Sequence, residues 1–349
     1  MTRDELLSLV SLAAPVRRAD VRHLDLRGVD LSGAIFEEVT FAGDQLEGAD
    51  VVESTFLGCS FVGCSFRGVT AKLTSFVRSD FRNACFAGAS LPTARFLECD
   101  ATGANFEGAE LTLVSFVSTD LTRASFAGVT LDRVPFVQCT VEDLELRGAV
   151  LLQVTFYQAD LRRLRFAGAR LEKCALVASN LAAVNLSNVE LSFCQLNDSN
   201  LSGANLRGAV VHHAGFKGAD LSNADLTKAD ARNSVFYQAK LDGARLSHAN
   251  LRQAIFNEAR LVGVDATRAD LYQANFARAV CVEARFVDAE LTYAEFPRAD
   301  LSHADFTGAS LFRARFHRTR EEGTVFSDRS QALGDDEKLA EAEAFTPAL

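Results

Sequence analysis

The chain has 349 residues, a net charge of −10, and 27 Phe against 4 Tyr, 1 Met and no Trp. An acidic chain does not hold nucleic acid by bulk attraction to phosphate, and at 23% charged residues this is not a disordered acidic chain. Aromatic bulk drawn almost wholly from one residue type indicates one packing solution used many times.

In chain order, residues 1–20 read as an N-terminal capping segment. Thr2-x-x-Glu5 matches a capping box and predicts a helix over 2–13. Leu6, Leu7, Leu9, Val10 and Leu12 would give it an apolar face, Pro15 would end it, and the helix is expected to cover the first coil. Asp4 and Glu5 stand where a secretory signal needs basic residues. No apolar run reaches the roughly 18 residues of a membrane span, so none is expected.

From Leu26 to Phe326 a large apolar residue falls at nearly every position ending in 1 or 6, which makes 61 consecutive five-residue units. Two residues before each large one sits a small residue, and the residue between them is often Asp or Asn, as in Ala219-Asp220-Leu221 and Ala249-Asn250-Leu251. A period of five fits neither a helix nor a simple strand. The tandem A-(D/N)-L-x-x pattern over residues 21–326 resembles the pentapeptide-repeat proteins. That resemblance implies an all-β fold, a right-handed quadrilateral parallel β-helix of about 15 coils, with short helical caps. One large and one small residue of each unit would fill the bore, and the other three would point outward. At roughly 4.8 Å per coil, the rod is expected to be about 70 Å long.

Four units per coil let the sequence be read by face, with large residues at 26, 46 and onward on face 1, and with faces 2, 3 and 4 starting at 31, 36 and 41. Thirteen Phe fall on face 3, eight on face 1 and three on face 4, so 24 of the 27 are expected core rungs. Cys59, Cys64, Cys99, Cys139, Cys174 and Cys194 take the small inward position and Cys281 a large one, which leaves only Cys85 outward. Cysteines used as small hydrophobes suggest a reducing compartment and a cytoplasmic protein. Zinc spacing is missing, and neither a metal nor a cofactor is expected.

Function must then lie on outward positions. Face 1 carries Gly two residues after its large residue in eight successive coils, Gly28 to Gly168. This reads as turn geometry that needs positive φ, or as a side-chain-poor face for a partner. On face 3 the residue after each rung is apolar in seven successive coils: Leu57, Val77, Leu97, Val117, Val137, Tyr157 and Val177. Asn197 and Lys217 end the series. At the strand spacing it would form a ribbon about 30 Å long. An exposed apolar ribbon marks a partner-binding surface; strand propensity alone is the competing explanation. Face 2 shows a looser apolar series: Val52, Leu73, Leu113, Leu152, Phe193, Tyr272, Tyr293 and Phe312.

Charges are near balance on every face, and face 4, the most acidic, has 11 outward acids against 7 bases. Its Asp80, Asp100, Asp120 and Asp160 are expected to bond local backbone at turns. No two of the six His lie 20 residues apart, and His212-His213 reads as plain surface. Nucleotide-binding, esterase and metalloprotease motifs are missing, so no enzyme activity and no catalytic residue is expected. At the C-terminus, Glu321 interrupts the core positions, and residues 327–349 form a cap or flexible tail. Asp335 and Asp336 can start a helix through Glu337, Leu339, Ala340 and Ala344 that caps the last coil, dimerises or stays disordered.

The reading that follows is a non-enzymatic, rigid scaffold for a protein partner of unknown identity, without direct nucleic-acid binding, as a monomer or end-to-end dimer. Some bacterial relatives with a short leading helix resemble accessory or adaptor proteins of type VI secretion. The alternative implied by the resemblance is a DNA mimic that binds DNA gyrase or topoisomerase IV. A filler without a dedicated partner is a third reading.

Overall fold

The computed structural model describes residues 1–43 and 45–344, and the chain divides into two compact units, Met1–Asn180 and Leu181–Leu349. The local rule is the same in both. Each five-residue unit buries its large residue and the small residue two before it, as in Ala34 and Phe36, or Ala224 and Leu226. The corner is a β-turn. The Leu221 carbonyl accepts the Ala224 N–H at 3.0 Å, and Asn223 between them holds φ +58°. The eight face-1 glycines hold the same left-handed conformation at +62° to +70°, so their recurrence is turn geometry. Leu73 and Leu113 adopt it too, at +58° and +57°, which puts part of the strain on residues that disfavour it.

Successive turns pair in parallel with a 20-residue register, in a β-solenoid of about 16 turns. In the first unit the elements are α1 (Arg3–Ser11), β1 (Val16–Arg17), β2 (Ile35–Glu37), β3 (Thr55–Leu57), β4 (Ser75–Val77), β5 (Arg95–Leu97), β6 (Ser115–Val117), β7 (Thr130–Asp132), β8 (Pro135–Val137), β9 (Val150–Leu152), β10 (Thr155–Phe156) and β11 (Arg170–Glu172). Face 3 is the eight-stranded sheet β1-β2-β3-β4-β5-β6-β8-β10, and face 2 carries β11-β9-β7. The second unit pairs mostly through single bridges such as Asn205↔Asp225. It adds β12 (Asp305–Phe306), β13 (Val325–Phe326) and α2 (Glu337–Ala344).

The 20-residue register stacks identical side chains, and the Phe columns follow from it. On face 3 of the first unit, rings from Phe36 to Phe156 stack at 4.7–5.3 Å. The Phe66–Phe126 column on face 1 meets them edge-on, as Phe106 meets Phe96 at 6.1 Å and 86°. In the second unit Phe216 to Phe316 stack at 4.7–5.1 Å. Of the 24 expected rungs only Phe326, at the end, is not fully buried.

Polar residues at the small inward position are satisfied by the preceding coil. Ser54, Thr74 and Ser234 donate to the carbonyls of Leu31, Val51 and Val211 at 2.6–2.7 Å. Cys59, Cys99 and Cys139 donate their thiols to Phe36, Phe76 and Phe116 at 3.3–3.5 Å. Burial pushes the Cys59 thiol up to about 11 and Cys99 up to about 12. Cys139 departs from the expected frame in being only half-buried.

The ends depart further from the sequence reading. The Thr2–Glu5 capping box is present, but α1 stops at Ser11 and fully buries Leu6 alone, with Leu12 73% exposed. At the other end the pairing runs past residue 326. Arg315 bridges Leu333, a spacing of 18, and Arg329 lies over the Phe316 and Phe326 rings at 4.8 and 5.0 Å while pairing with Glu321. The backbone carbonyl of Ala340 in α2 accepts from Arg318 at 3.1 Å.

Two outcomes test this core. Phe96→Ala should cost about 3–5 kcal/mol in urea unfolding, against under about 1 kcal/mol for Phe312→Ala, which is 44% exposed. Thr74→Val should cost about 1 kcal/mol, and Thr74→Ser, which keeps the bond to Val51, should cost less.

Candidate interaction surface

The register places the seven ribbon residues on face 3 of the first unit. Leu57↔Val77, Val77↔Leu97, Leu97↔Val117 and Val117↔Val137 are directly paired, and the backbone ties them through bonds such as Arg78 N–H to Leu97 O at 2.9 Å. Their side chains alternate off the buried Phe column and face solvent. Leu97, Val137 and Tyr157 are 36%, 39% and 55% exposed; Leu57, Val77, Val117 and Val177 are half-buried by their neighbours. Tyr157 lies just beyond β10 and outside the paired ladder, and Val177 accepts the Gln158 N–H at 3.1 Å. The column on the other side of the rungs is small or hydroxylic at Thr55, Ser75, Ser115, Pro135, Thr155 and Ala175, with Arg95 the charged member. Five residues are therefore brought into one paired row, and two continue it less regularly.

The face-2 apolar residues do not form such a row. In the first unit, Leu73 and Leu113 are exposed at separate coils. In the second, Tyr272, Tyr293 and Phe312 touch edge-to-face at 5.8–5.9 Å, and Arg252 covers the Tyr272 ring at 4.2 Å.

The face-4 acids are engaged locally. Asp80, Asp100, Asp120 and Asp160 each accept the N–H two residues on, at 2.9–3.2 Å. Arg82 and Arg162 also pair with Asp80 and Asp160. The Arg82 hydrogen bonds offset the burial of the Asp80 carboxyl and hold it below its ordinary range, and those of Arg162 do the same for Asp160. Asp80 and Asp160, neutralised by adjacent guanidinium groups, make a poor copy of a phosphate backbone.

One arrangement was not anticipated from sequence. His212 Nε2 lies 2.8 Å from Ser192 Oγ, which also contacts the Glu190 carboxylate. The Phe193 ring stacks on His213 at 4.9 Å and meets His212 edge-on at 5.3 Å. The same 20-residue step pairs 192 with 212 and 193 with 213, so the sequence carries this contact as Ser above His and Phe above His. The Ser192 hydroxyl donates to the Glu190 carboxylate. Among the described residues no group of three or more His, Cys, Asp or Glu is placed to hold a metal ion, and no helix is long and apolar enough to cross a membrane.

Comparison with known proteins rests on the repeat. Full-length QnrB1, a plasmid-mediated fluoroquinolone resistance protein, is 22% identical over 60% of this chain and 92% of that one, with a TM-score of 0.37. HetL, a pentapeptide repeat protein involved in heterocyst differentiation regulation in the cyanobacterium Nostoc sp. strain PCC 7120, is 20% identical over 90% and 96%, with a TM-score of 0.18. A pentapeptide repeat protein of the Arabidopsis thaliana thylakoid lumen is 30% identical over 27% of this chain and 66% of that one, with a TM-score of 0.27. Superpositions this loose carry no functional argument. No curated protein matches the chain. The family model for the pentapeptide repeat region matches residues 49–126 and 209–286, and that for pentapeptide repeats in eight copies matches 17–51, 174–212 and 279–318. These matches together cover well over half of the sequence, and the chain belongs to the pentapeptide-repeat family.

Proposed function

We propose that the chain is a non-enzymatic scaffold that holds a protein partner on face 3 of its first unit, through Leu57, Val77, Leu97, Val117, Val137, Tyr157 and Val177. The observation that carries this reading is the row itself. Strand propensity explains a β-branched residue at one exposed position, but not a row of solvent-facing Leu, Val and Tyr beside a small, hydroxylic column. Among the described residues the bore is filled by core side chains, which leaves recognition to the outer faces.

A narrower role, as an accessory or adaptor of bacterial type VI secretion, is proposed on the leading helix α1 alone and needs the partner's identity. The competing reading is a DNA mimic acting on gyrase or topoisomerase IV. Its support is the net charge of −10, and the locally paired Asp residues of face 4 weigh against it.

Val117→Lys combined with Val137→Lys should abolish capture of the native partner from cell extract while the far-ultraviolet spectrum and melting curve stay close to the parent's. A doubly charged protein that still captures the partner at full affinity removes the ribbon from consideration. In a gyrase supercoiling assay the unmodified protein is expected neither to protect nor to inhibit; either effect would favour the mimic.

A further inference from the structure

Face 4 of the first unit is a regular ladder of bridges: Asp80↔Asp100, Asp100↔Asp120, Asp120↔Thr140, and then Asp160↔Asn180. Among the described residues, Thr140 and Asp160 are not bridged, and no backbone hydrogen bond joins residues 138–143 to residues 157–163. The preceding coil makes the equivalent bonds, Ser118 to Val137, Leu121 to Thr140 and Arg123 to Glu142, at 2.8–2.9 Å. The two parted coils are still joined on their other sides. Thr155 N–H reaches Val134 O at 3.2 Å, Leu146 N–H reaches Arg165 O at 3.1 Å, and β9 pairs with β11 and β7. The gap is a cleft of about 610 Å³ lined by Cys139, Thr140, Val141, Glu142, Asp160, Arg162 and Arg163.

The sequence supplies a cause. The small inward position of face 1 is Cys64, Ala84, Ala104 and Ala124 in successive coils, and then Leu144 and Leu164. Both leucines are buried, at the corner that immediately follows the parted segments. A bore sized for Ala beside a large residue is overfilled by Leu, and overfilling is relieved by backbone displacement. The displacement shows in the core. On face 4 the small inward residues Cys59, Ser79, Cys99 and Thr119 are at most 3% exposed, whereas Cys139 and Ala159 are half-buried. Across the gap, the Arg163 guanidinium bonds Asp143 at 3.1 Å and also pairs with Glu142.

We propose that this side is an opening built into the solenoid: the coils of residues 131–150 and 151–170 part reversibly on face 4, wedged by Leu144 and Leu164 and latched by Arg163. The latch is weak, because Arg163 and Glu142 are solvent-exposed and Asp143 is only half-buried, and such pairs contribute little. The ribbon crosses the same opening between Val137 and Tyr157, so parting the coils changes the spacing between those two residues.

Two readouts on the full chain test it. Amide hydrogen exchange should find Val141, Asp143 and Asp160 at least about tenfold less protected than Leu121, Arg123 and Thr140, their counterparts one coil earlier, whose N–H groups bond the neighbouring coil. Maleimide labelling, resolved by peptide mass spectrometry, should modify Cys139 faster than Cys59 and Cys99. These three thiols share a face, a hydrogen-bonding pattern and a raised pKa, so the rate difference reports access. Arg163→Gln should raise the Cys139 rate roughly two- to fivefold, and 0.5 M salt should do the same in the parent but not in the variant. Leu144→Ala with Leu164→Ala, which restores the small residue, should bring Cys139 down toward Cys99 and protect the three amides. Equal protection in the two coils overturns the opening. An unchanged Cys139 rate in Arg163→Gln overturns the latch, and faster labelling in the double Ala variant overturns the wedge.

Discussion

Backbone hydrogen bonding between coils 20 residues apart constrains everything else in this molecule. A turn of the solenoid exposes N–H and C=O groups on both of its edges, and only the next turn can satisfy them. Each unit must therefore be five residues long, since one inserted residue would shift every later donor off its acceptor. The 61 uninterrupted units are the sequence trace of that requirement. The same constraint sets the bore, because parallel turns at fixed spacing enclose a constant cross-section that one large and one small residue fill. Phe above Phe at 4.5–5.3 Å follows as a result of the register rather than as a separate design.

Where the constraint is tight, chemistry is suppressed. Thiols in the bore are pushed well above their ordinary range by burial, and hydroxyls there are spent on carbonyls of the coil before. Outside, the Asp residues that recur before the large residue are occupied by the N–H two positions on. Most groups that look reactive in the sequence thus serve the turns. What is left free is shape: rows of side chains held in parallel at the coil spacing. A row of Leu, Val and Tyr can recognise another surface without any group acting as acid, base or nucleophile.

Where the constraint is relaxed, the fold shows its limits. Leu144 and Leu164 exceed the volume their position allows, and the neighbouring side of the turn gives up its hydrogen bonds. At the end of the second unit the spacing shortens to 18 residues between Arg315 and Leu333, and an arginine laid over two Phe rings takes the place of the next coil. Both are local answers to the same demand that apolar surface and backbone polar groups be covered together.

The sequence by itself determined which residues face inward and which face out, because a period of five without interruption admits one phase. It thereby identified the Phe rungs, the thiols in the bore and the members of the apolar row. The tertiary structure alone decided how residues of neighbouring coils meet: His212 on Ser192, Phe193 on His213, and Val137 paired with Val117 but Tyr157 displaced from Val137. It also decided that α1 buries Leu6 and leaves Leu12 in solvent, and that Thr140 and Asp160 stand apart. The physical reason is that a residue's place within its pentad follows from local turn geometry, whereas contact between coils depends on the summed volume and bonding of a whole turn against the next.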